Sequence, residues 1–417
     1  MISSLPSSLK KRVVKLNSHR FCNKGSYILC ILRHTLRAQR NHVINIAIKV
    51  ANDTSLPLVV AQLVDDEYPY ASDRLHSLQV EASKEIKAGL LSKNVSYTLL
   101  VGSEMQTNLE QILAKSSAVF IDEIPIQYWS DQILKFKKLI RVPFFSVDSL
   151  TLVPMRAVKG DHDSAKSFRA EHKVLRDDYF PREEKLSCKV KYSQRLPGLG
   201  PVKTGLAKII NACAIDHSLK SCAEFPGSRK VALSRAREFV EHGIERYRWQ
   251  RNNPAQVYST SKLSPYIHYG IIGPEDILFI IDEYEISKSA VWKFKDELLT
   301  WRELAFHVSL KNKNFHCFDS IPKWAKKTLR DHRNDKREHI YSLEQLCHAQ
   351  TQDQLWNFAQ LQFLETGWMH NNLRMYWVKQ IIKWVQCPEQ AYRYAVYLND
   401  RLSSMGFWQS KEGLERS

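Results

Sequence analysis

Leu355-Trp356-Asn357-Phe358-Ala359-Gln360 is followed by Thr366-Gly367-Trp368-Met369-His370-Asn371-Asn372-Leu373-Arg374-Met375-Tyr376-Trp377 and then by Trp384. Gly367 suits the left-handed residue that closes a helix, so the spacing predicts a helical hairpin turning there. Trp356 stands eleven residues before this glycine and Trp377 ten after it. At the helical rise both indoles lie about 15 Å from the turn, where antiparallel helices bring them opposite each other. Trp384 follows Trp377 by seven residues, roughly two turns further along the same face. Three indoles so placed form a candidate electron ladder; the same intervals also suit an aromatic packing core. Asn371 and Arg374 in this hairpin, and Asn399 beyond it, are polar groups in otherwise apolar helices. Each needs a partner, which a large polar cofactor or a neighbouring helix provides.

Outward from the hairpin, the pattern changes twice. Between Ser26 and about Pro154, β-type runs at Tyr27–Leu32, Leu56–Leu63, Ser96–Val101 and Ala118–Ile121 alternate with amphipathic stretches. Apolar strands separated by helices imply a parallel sheet covered on both faces, an α/β domain over 26–155. It contains no GxGxxG turn of the dinucleotide-binding kind. Residues 156–227 are polar and charged, with Pro197-Gly-Leu-Gly-Pro201, as expected of an inter-domain linker. From Ser228 onward the periodicity is helical almost throughout, giving a second domain over 228–417. The expected class is α/β plus all-α, and a length of 417 residues agrees with two domains.

Composition narrows the function. A formal charge of +17 and a pI of 9.4 favour an anionic partner, nucleic acid first. Eight cysteines include no CxxC pair, so they read as reduced thiols and no metal site is expected. No apolar run reaches the roughly 18 residues of a membrane span and the N-terminus lacks an apolar signal core. The expectation is a monomeric protein of the cytoplasm, without a membrane partner.

Three further segments carry chemistry. Thr260-Ser261-Lys262-Leu263-Ser264 precedes Pro265 at a helix start, where hydroxyls, a cation and free amides suit a pyrophosphate or simply cap the helix. Glu297 and Trp301 share a helix face at i,i+4, so a carboxylate can bond a ligand whose ring stacks on the indole; Arg302 and Glu303 beside them also suit surface ion pairs. The basic run Lys323–Arg330, with Lys326, Lys327 and Arg330, suits either a phosphate backbone or a solvated face.

The segments STSKLSPYIHYG (259–270), PKWAKKTLRDHRNDKREHIYSLEQL (322–346), LWNFAQLQFLETGWMHNNLRMYWVKQIIKW (355–384) and YLNDR (397–401) occur in an order that resembles the photolyase and cryptochrome family, specifically class II cyclobutane pyrimidine dimer photolyases. The resemblance implies an N-terminal α/β domain and a helical domain holding a U-shaped FAD. By motif, Thr260, Ser261, Lys262, Leu263 and Ser264 would meet the FAD phosphates. Asn371 and Arg374 would lie beside the flavin ring, with Asn399 facing its N5. Glu297 and Trp301 would hold the dimer, with Met375 against it. Trp377, Trp356 and Trp384 would relay electrons, in that order toward solvent. Arg302, Lys326, Lys327 and Arg330 would contact DNA containing pyrimidine dimers. The implied activity is light-driven dimer repair; the alternative is a cryptochrome-like FAD photoreceptor, or a truncated homologue without repair activity. An antenna chromophore in the α/β domain is compatible with the resemblance, and no residue identifies one.

The chain departs from the family pattern in three places. Met405 stands before Gly406 where the family has an aspartate, which removes an expected ion partner of Arg374. The family chain continues for some tens of residues beyond Ser417, including a second tryptophan against the dimer that Trp408 does not match in position. Arg40, in Arg37-Ala-Gln-Arg-Asn-His42, replaces an aspartate found in many members.

Overall fold

The computed structural model describes residues 2–22, 24–162, 164–180, 185–198, 205–256, 258–312 and 314–404. Met405, Gly406 and Trp408 lie outside the described residues.

Six strands form one sheet: β1 Val13–Lys15, β2 Tyr27–Leu32, β3 Leu58–Val64, β4 Ser96–Val101, β5 Ser116–Asp122 and β6 Phe144–Val147, in the order β1-β6-β5-β2-β3-β4. All neighbours run parallel except β1, which pairs antiparallel with β6 at the edge. The expected α/β sheet is therefore present, with two strands that the sequence reading did not isolate. Val13-Val14-Lys15 is too short to carry a period, and Phe144–Val147 follows a helix with little polar punctuation.

Every residue of β2, β3 and β5 is buried, because helices cover both faces. Strand alternation sorts their side chains. Ile28, Cys30, Leu32, Leu58 and Val60 point into one core, while Tyr27, Leu29, Ile31, Val59 and Ala61 point into another with Leu109, Ile112 and Phe136. The first core does not stop at the sheet. It continues through the helix His42–Asp53 into Phe239, Tyr266, Ile277 and Phe294 of the helical body, so the two parts share apolar packing.

A buried ionic cluster reinforces that junction. Arg229 forks onto Asp276 at 2.7 and 2.8 Å, and Arg40 reaches the same carboxylate at 2.9 Å. Arg37 donates to the carbonyls of Arg40, Ser149 and Gly270. Burial raises the Asp276 carboxyl, but the Arg229 bonds and the nearby Arg37 outweigh it and hold it below the ordinary range. Arg40, the departure noted in the sequence, thus has a structural partner.

The stretch from 156 to 227 is more than a linker. It contains the helices Ala165–Tyr179 and Leu206–Asn211. Glu303 is buried and accepts the amides of Leu152 and Val153 at 2.6 and 3.3 Å and the His172 ring at 2.7 Å. Arg176 then bonds His172 and Thr300. A charged composition concealed the first of these helices because several of its polar residues pair internally instead of facing water.

Candidate functional site

The hairpin forms as its spacing predicts. Its helices are Gln354–Thr366 and Asn371–Lys383, and Gly367 closes the first in the left-handed region at φ 68°. A side chain there would also collide, since a Cβ would fall 2.1 Å from Ser404 Oγ and 2.8 Å from Arg74 Cδ.

Trp356 and Trp377 stack with parallel rings, centroids 6.0 Å apart, and both are fully buried. Trp384 meets Trp356 edge to face at 5.5 Å and is 8% exposed. The indoles are therefore ordered Trp377, Trp356, Trp384 from the interior outward. Both fully buried indole N–H groups are satisfied: Trp356 Nε1 donates to the Trp377 carbonyl at 3.0 Å and Trp377 Nε1 to Gln360 Oε1 at 2.9 Å. These bonds fix the ring planes, which packing alone leaves free to tilt. Gln360, buried between the helices, is a positioning residue that sequence reading passed over; its i+4 spacing from Trp356 was the available signal.

One turn before Trp377, Arg374 donates to Asn399 Oδ1 at 2.8 Å, joining two of the polar groups singled out by sequence. Asn399 Nδ2 in turn donates to Asp400 at 3.0 Å. Burial pulls the Arg374 guanidinium down to about 10, and the Asp400 carboxylate opposes that fall. Met405 lies outside the described residues; among those described, the negative influence on Arg374 comes from Asp400, one residue past Asn399 on the helix Pro388–Leu402.

The Thr260–Ser264 segment reaches the same hairpin. Lys262 adopts a left-handed backbone at φ 50°, and its ammonium lies 5.0 Å from the centre of the Trp368 ring and 2.7 Å from Glu224. Asn372 Nδ2 bonds the carbonyl of Asn252 just upstream. Thr260, Ser261 and Ser264 are half-buried and Leu263 is buried, ahead of the five-residue helix Ser264–His268 with Pro265 in its first turn. Asn371 is exposed and Met375 half-buried.

Glu297 and Trp301 begin and end a π-helical turn, the wider i to i+5 form that recurs at functional sites. Their side chains diverge from the simple picture. Glu297 bonds Lys293 at 2.5 Å and faces Arg251 at 3.8 Å, whereas Trp301 packs on the cluster of Val153, Phe168 and Leu304.

The basic residues divide. Lys326, Lys327 and Arg330 lie on the helix Lys323–Asp331, whose one buried residue is Ala325, beside an exposed Trp324. Arg302 does not join that face. Its guanidinium turns inward, donating to the Leu150 carbonyl at 3.0 Å and lying over Phe306, and burial lowers its affinity for protons. The helix register aims it at the domain junction, so the expected surface contact with DNA is corrected to a structural one.

A parallel sheet is joined to a helical body in which three indoles stack on the helices that also carry the Arg374–Asn399 pair. A comparison with models of protein families gives no match. Individual proteins do match. The chain is 28% identical over 392 residues to the deoxyribodipyrimidine photo-lyase of Methanothermobacter thermautotrophicus, covering 94% of this chain and 85% of the relative. It is 29% identical over 377 residues to the protein of the same name from Arabidopsis thaliana, covering 88% and 75%. Among solved structures, a Synechocystis cryptochrome superposes with a TM-score of 0.64 at 16% identity over 90% of this chain and 82% of its own. A class III photolyase from Agrobacterium tumefaciens gives 0.61 at 16% identity over 93% and 83%. In sequence the chain is thus similar to deoxyribodipyrimidine photo-lyases along most of its length, and it shares the fold of photolyases and cryptochromes.

Proposed function

We propose that this protein is a light-driven DNA lyase that uses FAD to split cyclobutane pyrimidine dimers. The observation that carries the flavin reading is the ladder Trp377–Trp356–Trp384 ending beside the Arg374–Asn399 pair. The donor set fits the cofactor. Arg374 is a half-buried cation with guanidinium N–H groups beyond the one given to Asn399, suited to an anionic ring, and the hydroxyls of 260–264 with Lys262 suit its phosphates. When bound, reduced FAD excited by light supplies the electron that opens the cyclobutane ring and recovers it afterwards, with no net oxidation.

The protein's own residues do the rest. Arg374, backed by Asp400, holds positive charge where negative charge must rest, and Asn399 offers an amide beside it. Trp377, Trp356 and Trp384 carry electrons inward from the surface to restore the reduced state. Glu297, with a side chain 26% exposed, would be the acceptor for a pyrimidine N–H once released from Lys293, and Trp301 at the other end of the π-helical turn the apolar wall. Met375 lies on the same hairpin helix as Arg374. Lys326, Lys327 and Arg330 attract the phosphate backbone. The antenna chromophore stays unassigned.

A second reading, a cryptochrome-like photoreceptor, draws on the engagement of Glu297 by Lys293 and Arg251. One assay separates them. Reduced protein with FAD quantified is illuminated with ultraviolet-treated DNA; light-dependent loss of cyclobutane dimers is expected, and photoreduction without any dimer loss would sink the lyase reading.

A further inference from the structure

Three side chains with metal-binding atoms meet just beyond the end of β3. Asp66 follows β3 by two residues, His76 stands in the first turn of the helix Asp73–Leu91, and Cys213 follows the helix Leu206–Asn211. One ligand atom from each lies within 4.8 Å of the others. Asp66 Oδ1 is 2.9 Å from His76 Nε2, while its other oxygen accepts the Ala214 amide at 3.1 Å. His76 and Cys213 are buried, and His76 Nδ1 has no hydrogen-bond partner among the described residues. The ring nitrogen that faces the cluster is Nε2, through which His76 meets the Asp66 carboxylate. A second layer braces the group. His217 bonds the Cys213 carbonyl at 3.0 Å and Asp73 at 2.6 Å, and Lys220 reaches Asp73 at 3.0 Å.

We infer that Asp66, His76 and Cys213 bind a zinc ion through three protein ligands, with water in the fourth position. A thiolate, an imidazole and a carboxylate together select a borderline-soft ion and exclude magnesium or calcium, which demand oxygen throughout. Zinc bonds of about 2.0 Å to nitrogen or oxygen and about 2.3 Å to sulfur set tetrahedral ligands roughly 3.3 to 3.6 Å apart. Binding replaces the Asp66–His76 hydrogen bond, breaks the one that the Cys213 thiol donates to the Ile209 carbonyl at 3.4 Å, and releases that thiol proton to solvent.

The ion would act as a staple. Its ligands come from the α/β domain and from the segment around 213, and Arg401 of the helix Pro388–Leu402 already holds that segment through Asp216 at 2.8 Å. Sequence spacing could not reveal this site, since 137 positions separate His76 from Cys213 and no CxxC marks it.

The test uses the full chain without an affinity tag, purified without chelator and dialysed against zinc. About one zinc per chain is expected, and cobalt substitution should produce a thiolate-to-cobalt charge-transfer band. Cys213→Ser should abolish the band and His76→Gln should diminish it, while Cys347→Ser keeps it. A parent protein that is folded by circular dichroism yet retains no zinc and gives no cobalt band would overturn the assignment, whatever the variants do. A band persisting in Cys213→Ser would overturn it equally.

Discussion

Arg74 reaches from the α/β domain to the end of the hairpin, and its replacement by methionine should unfasten the site without touching it. Its guanidinium, in a residue 4% exposed, donates to the carbonyls of Phe363, Leu364 and Glu365, the last at 3.1 Å, and to Leu402 at 2.7 Å; Nε bonds Lys220. The first three carbonyls belong to the final turn of the helix Gln354–Thr366, where the Gly367 amide serves Phe363 and intrahelical partners then run out. A cation at that end also offsets the helix dipole, worth about 0.3–1 kcal/mol. Hydrogen bonds from a charged donor contribute about 1.5–3 kcal/mol each, but water reaches part of this group and the bonds share one side chain. Arg74→Met keeps the aliphatic volume and should cost about 4 kcal/mol in total, the worth of two charge-assisted hydrogen bonds with the helix-end charge. The assay is denaturant unfolding followed by tryptophan fluorescence, which reports on the hairpin indoles, alongside far-ultraviolet circular dichroism. Flavin retention should fall in parallel, because the same carbonyls align the helices bearing Trp356 and Asn399. A variant within about 1 kcal/mol of the parent, with an unchanged fluorescence transition, would refute the clasp.

Trp377→Phe should suppress photoreduction of the bound flavin while leaving dimer splitting by chemically pre-reduced protein intact; unchanged photoreduction kinetics would remove Trp377 from the relay. Lys326→Ala, Lys327→Ala and Arg330→Ala combined should reduce the slope of log affinity for DNA against log salt by about 0.9 for each phosphate no longer neutralised, and an unchanged slope would make the helix Lys323–Asp331 a solvated face. The Asp276 carboxyl, held low in the fold, contributes stability that is complete above its unfolded value near about 4 and disappears as pH falls through the folded one. Stability should therefore hold from neutrality to about pH 5 and drop below about pH 4, with Asp276→Asn flattening that acid limb.

The hairpin was legible because it is local. Helical periodicity, a glycine at the turn and two counts of residues sufficed to place Trp356 opposite Trp377, and the rings stack as that arithmetic requires. The parallel sheet was legible for a related reason: strands buried on both faces leave continuous apolar runs. Where the reading faltered, the decisive partner lay far along the chain. Glu303 and Arg302 look alike as charged residues on a helix, yet one receives two backbone amides and a histidine across the junction and the other caps the Leu150 carbonyl. The helix Ala165–Tyr179 was concealed by charges that pair with the helical body.

By itself, then, the sequence determined everything carried by short-range periodicity: the order of the two domains, the spacing of the three indoles and the family motifs around them. Tertiary structure alone decided which charges are buried and with whom. It gave Asp400 to Arg374 as a counter-charge, Asp276 to Arg40 and Arg229, and the carbonyls of the hairpin turn to Arg74. It also gathered Asp66, His76 and Cys213 into one cluster. Rise and pitch act between neighbours in the chain, so a sequence displays them; desolvation and charge pairing act between neighbours in space, and those exist only after the chain has folded.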